Sequence, residues 1–363
     1  MIVSSDDRQV NPARVVAFYL PQFHPIPEND QWWGQGFTEW TNVRKAVPLF
    51  AGHDQPKVPG ELGYYDLRNP HIRYEQALLA QTYGVTAFCY YHYWFAGKRL
   101  LERPFTEVLT SGEPDFPFCL CWANETWTGI WHGSPDRILI EQSYPGREDH
   151  IRHFYALLPA FCDGRYLTVF KKPVFLIYIP TGIPEVEMVL DLWRELAIKQ
   201  GLPGIYFVGI RGSTSRWHPT KDGFDASVTL SIPPYPSPGI VPRRIASGSN
   251  RVFCYDHEEV VDKLLAPKES AFLDFPCIGP NWDNSPRVVG RGIVLQNSRP
   301  ELFQRNVRTA LGRVQGLQED ERLMFVKSWN EWAEGNYLEP DAKFGRGYLQ
   351  ALNNGLQELM KPE

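Results

Sequence analysis

Short runs of β-branched and aromatic residues alternate along this chain with longer segments in which apolar residues recur at helical spacing. The runs that predict strands are Val15–Leu20, Thr86–Tyr91, Pro117–Trp122, Val174–Ile179, Ile205–Ile210, Asp225–Leu230, Phe275–Gly279 and Leu323–Lys327. Eight alternating strand–helix units predict an α/β fold, a (β/α)8 TIM barrel with long strand-to-helix loops. The alternative is an open doubly wound sheet. The barrel is favoured because no glycine-rich phosphate loop follows the first run.

Amphipathic helices are predicted between these runs. The clearest ends at Gly201, with Pro203 following, and its apolar face comprises Val186, Val189, Leu190, Trp193, Leu196 and Ala197. Another begins with Ser298-Arg299-Pro300-Glu301, a capping-box pattern with an early proline. The last predicted helix carries Leu349, Leu352, Leu356 and Leu359. No linker or repeat interrupts the pattern, so residues 1–363 are predicted to form one catalytic domain, with Pro233–Pro242 as a long loop.

Composition and charge narrow the possible partners. The formal net charge of −5 argues against a nucleic-acid-binding surface, which needs a basic stripe. Met1 to Ala13 is polar and lacks the apolar core of a signal peptide. No apolar run approaches the roughly 20 residues that span a bilayer. We therefore expect a soluble cytoplasmic protein without a transmembrane segment, and its oligomeric state stays open.

The cysteines indicate neither disulfides nor a metal site. Cys89, Cys119 and Cys121 lie within apolar strand-like runs and are interpreted as small buried hydrophobic residues. No cysteine or histidine pair has the spacing of zinc ligands. We therefore expect no metal and no cofactor.

Aromatic and polar residues gather where the predicted strands end. In a barrel these carboxyl-terminal ends form the active-site face. Five of the eight runs end in a Trp or Tyr beside an Asn, His, Gln or carboxylate. Such a combination is typical of a ligand pocket. The residues expected to bind substrate are Tyr19, Gln22, His24, Trp40, Tyr91, His92, Trp94, Trp122, Asn124, Glu125, Trp127, Asn281, Trp282, Asp283, Asn330 and Trp332.

The segment Ser328–Gly335 carries the candidate chemistry. It places Glu331 and Glu334 three residues apart, beside tryptophans that can form a platform for a sugar ring. Glycoside cleavage needs an acid and a second carboxylate, and these two glutamates supply both. The alternative is the first turn of a helix, which favours acidic residues through the helix dipole. That alternative explains a glutamate but not the flanking Trp329 and Trp332.

Several other residues keep two interpretations. Glu125 could accept a hydrogen bond from substrate or pair with an arginine at the barrel rim. His24 and His92 could bind sugar hydroxyls or act as structural donors. The further acidic residues have weaker claims: Glu39 and Asp283 as loop caps, and Glu339 as part of a turn.

Five segments together resemble the WbsX-type proteins, which are often labelled glycosyltransferases of surface-polysaccharide loci. They are Val16–Pro25, Gly36–Trp40, Tyr90–Phe95, Trp122–Glu125 and Ser328–Gly335. These proteins are related to glycoside hydrolase family 99, the endo-α-mannosidases and endo-α-mannanases. The resemblance to the WbsX type extends over nearly the whole chain. The similarity to family 99 is narrower and rests mainly on the barrel pattern and the Asn-Glu-Trp-X-Glu-Gly segment.

The resemblance implies a retaining reaction through a 1,2-anhydro sugar. In family 99 one glutamate deprotonates the sugar 2-hydroxyl, which corresponds to Glu331 here, and the other is the acid/base, which corresponds to Glu334. This chemistry suits α-manno and α-rhamno sugars and needs neither metal nor nucleotide. Ala333 stands where family 99 usually has histidine. A deoxy or otherwise modified sugar of a bacterial surface glycan would therefore fit as well as mannose.

Three functions follow from these observations. The first is a retaining glycoside hydrolase or transglycosylase acting on an oligosaccharide or polysaccharide. The alternative is a glycosyltransferase of O-antigen (lipopolysaccharide) or capsular polysaccharide biosynthesis. Against it, the sequence has no Asp-X-Asp metal-diphosphate motif and no glycine-rich nucleotide loop. The third is a non-catalytic glycan-binding barrel, which has no need of a glutamate pair.

Overall fold

The computed structural model describes residues 12–129, 134–230, 240–247, 250–265, 271–288 and 291–358. Its central feature is a closed parallel barrel. The barrel strands are β1 (Arg14–Tyr19), β2 (Ala87–Phe95), β3 (Phe118–Trp122), β4 (Lys172–Ile177), β5 (Tyr206–Gly212), β6 (Ala226–Leu230), β7 (Asp274–Ile278) and β8 (Leu323–Val326). Each strand pairs with the next in chain order, and β8 returns to β1 with Leu323 opposite Arg14. This closure confirms the (β/α)8 barrel and rules out the open sheet.

The α-helices within the described ranges are α1 (Pro27–Trp33), α2 (Glu39–Lys45), α3 (Pro70–Thr82), α4 (Arg103–Ser111), α5 (Arg147–Phe161), α6 (Val186–Lys199), α7 (His257–Leu264), α8 (Pro300–Val314) and α9 (Gly347–Glu358). Between β5 and β6 the described chain has only a short 3-10 helix, Pro219–Asp222. The expected alternation is therefore incomplete at this one connection.

Shorter elements decorate the loops. The additional strands are Lys98–Leu100, Trp127–Gly129, Ser134–Ile140, Thr168–Val169, Arg243–Ser247, Asn250–Asp256, Arg291–Gln296, Asn330–Glu331 and Asn336–Tyr337. The further 3-10 helices are Pro180–Gly182, Glu319–Glu321 and Trp332–Glu334. Two of these elements, at Trp127–Gly129 and Asn330–Glu331, follow barrel strands at the carboxyl-terminal face and so border the candidate site.

The predicted helices are confirmed with one correction. Helix α6 buries its predicted apolar face and ends at Lys199, before Gly201. Helix α8 begins at Pro300, but the capping box is wrong: Arg299 is the N-cap residue, and the Ser298 hydroxyl donates instead to the Leu295 carbonyl (3.0 Å). In α9 the predicted leucines 349, 352 and 356 are buried. Leu359 and most of Pro233–Pro242 lie outside the described residues.

All six cysteines are free thiols, and Cys89, Cys119 and Cys121 are buried as predicted. Thiols at these positions pack as small apolar groups. Across the described ranges, no helix has the length and apolarity needed to cross a bilayer.

The barrel interior is an aromatic core beneath the carboxyl-terminal face. Phe18 of β1 stacks on Tyr91 of β2 (ring centroids 5.6 Å apart) and contacts Phe325 of β8 (5.7 Å). Side chains alternate along a strand, so Lys327 points to the same side as Phe325, one layer higher. The floor of the candidate site is therefore apolar, and the first polar layer above it contains a lysine.

Candidate active site

The loop after β8 is a compact hairpin. Its strand Asn330–Glu331 pairs antiparallel with Asn336–Tyr337, and the 3-10 turn Trp332–Glu334 joins them. The Ser328 hydroxyl fixes this loop by donating to the Asn336 carbonyl (2.7 Å) and accepting from the Glu331 N–H (2.9 Å). Glu331 is the N-cap residue and Glu334 the last residue of this 3-10 turn, and the next α-helix, α9, begins only at Gly347. The turn directs Glu331 and Glu334 into one cavity.

Gly335 allows the loops after β7 and β8 to touch. It has a φ of +59°, and a Cβ at this position would lie 2.9 Å from the Asp283 Cβ. The Asp283 N–H donates to the Glu334 carbonyl (2.6 Å). Any larger residue would be strained and would collide with the β7 loop. This close approach brings Trp282 and Arg287 of the β7 loop beside the glutamates.

Two buried cations pair with the carboxylates. Lys327 Nζ lies 3.0 Å from both carboxylate oxygens of Glu331 and 3.6 Å from Glu334 Oε2. Arg287 Nη1 lies 2.8 Å from Glu334 Oε1, and its Nη2 donates to Glu39 Oε1 (2.6 Å). Buried charges are tolerated when they are paired in this way. The cluster comprises three carboxylates and two cations, which leaves it an excess of carboxylates.

Different surroundings give Glu331 and Glu334 different pKa values. Burial raises the pKa of Glu331 to about 7, because the Lys327 charge offsets only part of the burial effect and the Glu334 charge adds to it. Burial acts in the same direction on the pKa of Glu334, but the nearby Arg287 and Lys327 charges outweigh it and lower that pKa below its usual range. Two neighbouring carboxylates titrate as a pair. In the free protein Glu331 therefore takes up a proton before Glu334 does.

The cavity has a volume of about 750 Å³ and opens at the carboxyl-terminal face of the barrel. Such volumes are typical of small-ligand sites. Aromatic side chains form much of its wall: Trp33, Tyr91, Tyr93, Trp127, Tyr178 and Trp282. Among the described residues, no cluster of three histidine, cysteine or acidic side chains could hold a metal ion. The arrangement is suited to acid–base chemistry on a ring-shaped polar ligand.

The structure brings seven of the predicted site residues to this cavity. They are Gln22, Tyr91, Glu125, Trp127, Trp282, Glu331 and Glu334. Glu125 has no ion pair in the described part of the chain, so the predicted rim arginine is not found there. The buried Gln22 Nε2 and Trp282 Nε1 have no hydrogen-bond partner among the described residues.

Because side chains alternate along a strand, some of the residues predicted to bind substrate face away from the cavity. Tyr91 of β2 faces inward, whereas His92 and Trp94 face helix α5. The Nε2 atoms of His92 and His153 lie 2.8 Å apart, and Trp94 Nε1 donates to Asp149 Oδ2 (3.0 Å). Burial lowers the pKa of His92 to about 3, so this imidazole stays neutral. Trp122 of β3 points the same way and packs edge-on against His153 (4.7 Å).

Tyr19 and His24 lie behind the barrel wall. The Tyr19 hydroxyl donates to Gln76 Oε1 of α3 (2.6 Å). His24 Nδ1 lies 3.0 Å from the Pro21 carbonyl oxygen, and burial lowers its pKa. Both side chains therefore connect the first loop to its surroundings and do not border the cavity.

Trp40 and Trp332, both predicted to bind substrate, pack against each other and do not line the cavity. Their rings lie 5.6 Å apart, and Trp332 stacks on Tyr337 (3.7 Å). Trp332 Nε1 donates to Glu339 Oε2 (2.6 Å), and the Tyr65 hydroxyl donates to the same oxygen (2.9 Å). Glu339, predicted only as part of a turn, is thus a buried acceptor that fixes the tryptophan.

The remaining polar residues of the β7 and β8 loops are also held by the protein. Asn281 Oδ1 accepts from the Trp282 N–H (2.7 Å), and Asp283 Oδ1 accepts from the Ser285 N–H (3.0 Å), which is a loop cap. Asn330 Oδ1 accepts from the Leu20 N–H (2.8 Å) and so joins the β8 loop to β1. These side chains orient the loops that carry Glu331 and Glu334.

Asn124 is placed as a clamp between β3 and β4. Its Oδ1 accepts from the Ile179 N–H, and its Nδ2 donates to the Ile179 carbonyl and the Tyr144 hydroxyl, each at 2.8 Å. We expect Asn124→Ala to lower the free energy of unfolding by about 1–3 kcal/mol, because it leaves buried backbone groups unpaired. Denaturant unfolding checks this. Unchanged stability together with lost glycan binding would show that Asn124 acts on the ligand instead.

The sequence did not identify Lys327, Arg287 or Glu39 as members of the charged cluster. Glu39, given only a weak claim as a loop cap, is fully buried, and its Oε1 also accepts from the Ala333 N–H (3.1 Å). Ala333 itself is buried and does not line the cavity. Lys327 had a signal, because a lysine ending an apolar strand needs a buried partner. Arg287 had no such signal, because the sequence of the long β7 loop does not show where the loop folds back.

Comparison with known proteins identifies the family of this chain. The family model described as "Glycosyltransferase WbsX" matches residues 15–352. Two relatives from Xanthomonas campestris pv. campestris, strains B100 and ATCC 33913, are both named uncharacterized protein WxcX. Each is 40% identical over 351 residues, which is 95% of this chain and 50% of the relative. The chain therefore spans about half the length of the curated relatives it matches.

Solved structures share the barrel. A glycoside hydrolase-like protein superposes with a TM-score of 0.59 at 13% identity, covering 98% of this chain and 97% of that one. The GH99 endo-alpha-mannosidase from Bacteroides thetaiotaomicron superposes with a TM-score of 0.59 at 14% identity, covering 96% and 97%. At such identities the likeness shows the fold alone. The family match over most of the sequence shows more: this chain belongs to the WbsX family.

Proposed function

We propose that this protein is a retaining glycoside hydrolase or transglycosylase that acts on α-manno- or α-rhamno-configured glycans. The observation that carries the proposal is the pair Glu331 and Glu334, which line one aromatic-walled cavity at the active-site face of a barrel. Membership of the WbsX family supports a glycan as the substrate. Retaining glycosidases and their relatives use two carboxylates on either side of the scissile bond.

The proposed first step forms a 1,2-anhydro sugar. Glu331 removes the proton of the sugar 2-hydroxyl, and the freed oxygen attacks the anomeric carbon as the glycosidic bond breaks. Glu334 gives its proton to the departing oxygen. In the second step water attacks the anomeric carbon while Glu334 takes its proton, and Glu331 returns a proton to the 2-oxygen. A sugar hydroxyl in place of water gives transfer, and two inversions at one carbon give net retention.

The resting charges suit Glu331 as the base. A carboxylate with a pKa of about 7 is a stronger base than an ordinary glutamate, and a catalytic pKa close to the working pH favours proton transfer. Glu334 is the more acidic partner in the free protein. The proposed cycle therefore requires glycan binding to reverse the order of the two proton affinities, so that Glu334 holds the proton before cleavage.

A glycosyltransferase is the second candidate, because the matching family model carries that description. In this function a sugar bound to a nucleotide or other activated carrier would be the donor. The same cavity would then hold donor and acceptor together, and the glutamates would assist the acceptor hydroxyl.

The first experiment measures products from α-mannosides, α-rhamnosides and bacterial surface oligosaccharides, with water and with sugar acceptors. We expect cleavage of at least one α-linked substrate, with the α-anomer as the first product seen by NMR. A first-formed β-anomer would contradict the anhydro-sugar route. Transfer from a nucleotide sugar without any cleavage would support the transferase. Glycan binding unchanged in the double Glu331→Gln, Glu334→Gln variant, with no turnover of any substrate by the wild type, would support a non-catalytic barrel.

A further inference from the structure

The charges of the buried cluster balance only when its carboxylates hold one proton. The cluster consists of three carboxylates and two cations, namely Glu39, Glu331, Glu334, Lys327 and Arg287. When every group is ionised, the carboxylates exceed the cations by one negative charge. Because buried charges are stable only when they are compensated, a single proton on the carboxylates gives the favoured state.

The contacts of Glu39 favour its ionised form. Its Oε1 accepts from Arg287 Nη2 (2.6 Å) and from the Ala333 N–H (3.1 Å), and both donors stabilise a carboxylate. Burial raises the pKa of Glu39, and the Arg287 charge opposes that rise. Glu331 and Glu334 interact directly with each other and can share a proton. The single proton of the cluster therefore belongs to this pair.

Glu39 acts on the pair without reaching the cavity. It is fully buried and does not line the cavity, so it cannot touch a bound glycan. It begins α2 in the loop after β1, where its N–H donates to the Gln22 carbonyl (2.9 Å). Its carboxylate holds Arg287 of the β7 loop, whose Nη1 lies 2.8 Å from Glu334 Oε1. Arg287 thus lies between a carboxylate outside the cavity and one that lines it.

We propose that Glu39 is a positioning residue whose negative charge makes the glutamate pair retain one proton. The inference rests on the proposed function, because the proposed cycle starts with one glutamate ionised and the other protonated. Replacing Glu39 with neutral glutamine leaves two carboxylates and two cations. Their charges balance when the pair holds no proton, so the resting state would lack the proton that the leaving group needs.

The other titratable side chains that interact with the pair do not change this balance. They are Tyr91 and Tyr93 of β2, Tyr178 after β4 and Glu125 after β3. Burial raises the pKa of each tyrosine above its usual range, so all three stay neutral. Glu125 is exposed, and solvent screens its charge. These four groups are the same in every variant below.

NMR of the side-chain carboxyl carbons tests the inference in the free protein labelled at glutamate, with Glu331→Gln and Glu334→Gln to assign the signals. In the wild type we expect the pair to lose its proton near pH 7. In Glu39→Gln it should bind that proton about 10- to 100-fold more weakly, as the loss of one neighbouring charge allows. The alkaline limb of kcat/KM should move to lower pH in parallel. Glutamine keeps an acceptor for the Ala333 N–H.

Compensating and control variants separate charge from packing. The double variant Glu39→Gln, Lys327→Met removes one charge of each sign, so its pair should bind the proton more tightly than in Glu39→Gln. Glu61→Gln removes a carboxylate from an exposed ion pair with Arg346 (2.6 Å) and should titrate as wild type. Unchanged proton binding in Glu39→Gln, or no recovery in the double variant, would overturn the inference. Failure of the proposed function would show separately, as these titrations without turnover of any glycan.

Discussion

Replacing Glu334 with glutamine is expected to abolish cleavage of ordinary glycosides but to spare an aryl glycoside with a strongly activated phenol as leaving group. Such a phenolate departs without a proton, so the first step, which kcat/KM reports, needs the acid only for unactivated substrates. We expect a loss on the order of 10²- to 10⁴-fold on the unactivated substrate, the usual contribution of general acid catalysis. Comparing kcat/KM on the two substrates measures it.

Glu331→Gln gives the complementary result. The proposed base acts on the 2-hydroxyl with either leaving group, so both substrates should lose a similar factor, on the order of 10²- to 10⁴-fold. Calorimetry should still detect glycan binding in both variants. Glu301→Gln, in which the exposed side chain of α8 changes in the same way, is the control and should behave as wild type. An activated substrate spared by Glu331→Gln and not by Glu334→Gln would show that the two roles are reversed.

The barrel could be predicted from sequence because its strands are buried on both faces. Runs such as Val174–Ile179 are continuously apolar, and the structure has strands at all eight predicted places. Pattern alone did not foresee the β5–β6 connection, where the described chain forms a 3-10 helix. Ser298 failed as a cap because its hydroxyl donates to the carbonyl of Leu295, three residues earlier, a local hydrogen bond that competes with the cap.

The site was predictable in position but not in detail. Placing polar and aromatic residues at strand ends located the cavity, since Glu331, Trp282 and Gln22 all line it. Alternation along β2 already implies that Tyr91 and His92 face opposite sides, and applying it would have replaced His92 by Tyr93. The contacts of Arg287 with Glu39 join residues 248 positions apart, and no local pattern carries that information.

Lys327→Met is expected to move the alkaline limb of the pH–activity profile to higher pH. The Lys327 charge favours the ionised form of Glu331, so its loss raises a pKa that is already about 7. The proposed cycle starts with one proton on the glutamate pair, which the free enzyme loses above this pKa, so kcat/KM should decline at a higher pH than in the wild type. A tenfold relative gain on the alkaline limb corresponds to a rise of about one in that pKa. Profiles of kcat/KM from about pH 5 to about pH 9 measure the effect on the free enzyme.

Lys327→Met should also lower the free energy of unfolding, and by more at high pH than at low pH. The folded protein binds the Glu331 proton more tightly than the unfolded chain, so this group stabilises the fold at low pH, and that contribution is lost as the pH rises towards about 7. Without Lys327 the ionised Glu331 loses its closest countercharge, and breaking such a buried pair costs about 3–5 kcal/mol. The deficit relative to wild type should be smaller near about pH 5, where Glu331 is protonated and Lys327 has only the ionised Glu334 at 3.6 Å as its partner, and larger near about pH 8.

Lys343→Met is the matched control for Lys327→Met. Lys343 pairs with Asp54 at an exposed site (3.0 Å), where an ion pair contributes about 0–1 kcal/mol. It should leave both the activity profile and the pH dependence of unfolding unchanged. An alkaline limb that stays in place in Lys327→Met would mean that Glu331 is not the group whose ionisation controls turnover. A stability deficit that is constant over pH would mean that Lys327 acts through packing against Tyr91 and Trp282, whose ring centres lie 5.8 and 5.6 Å from its Nζ, and not through its charge.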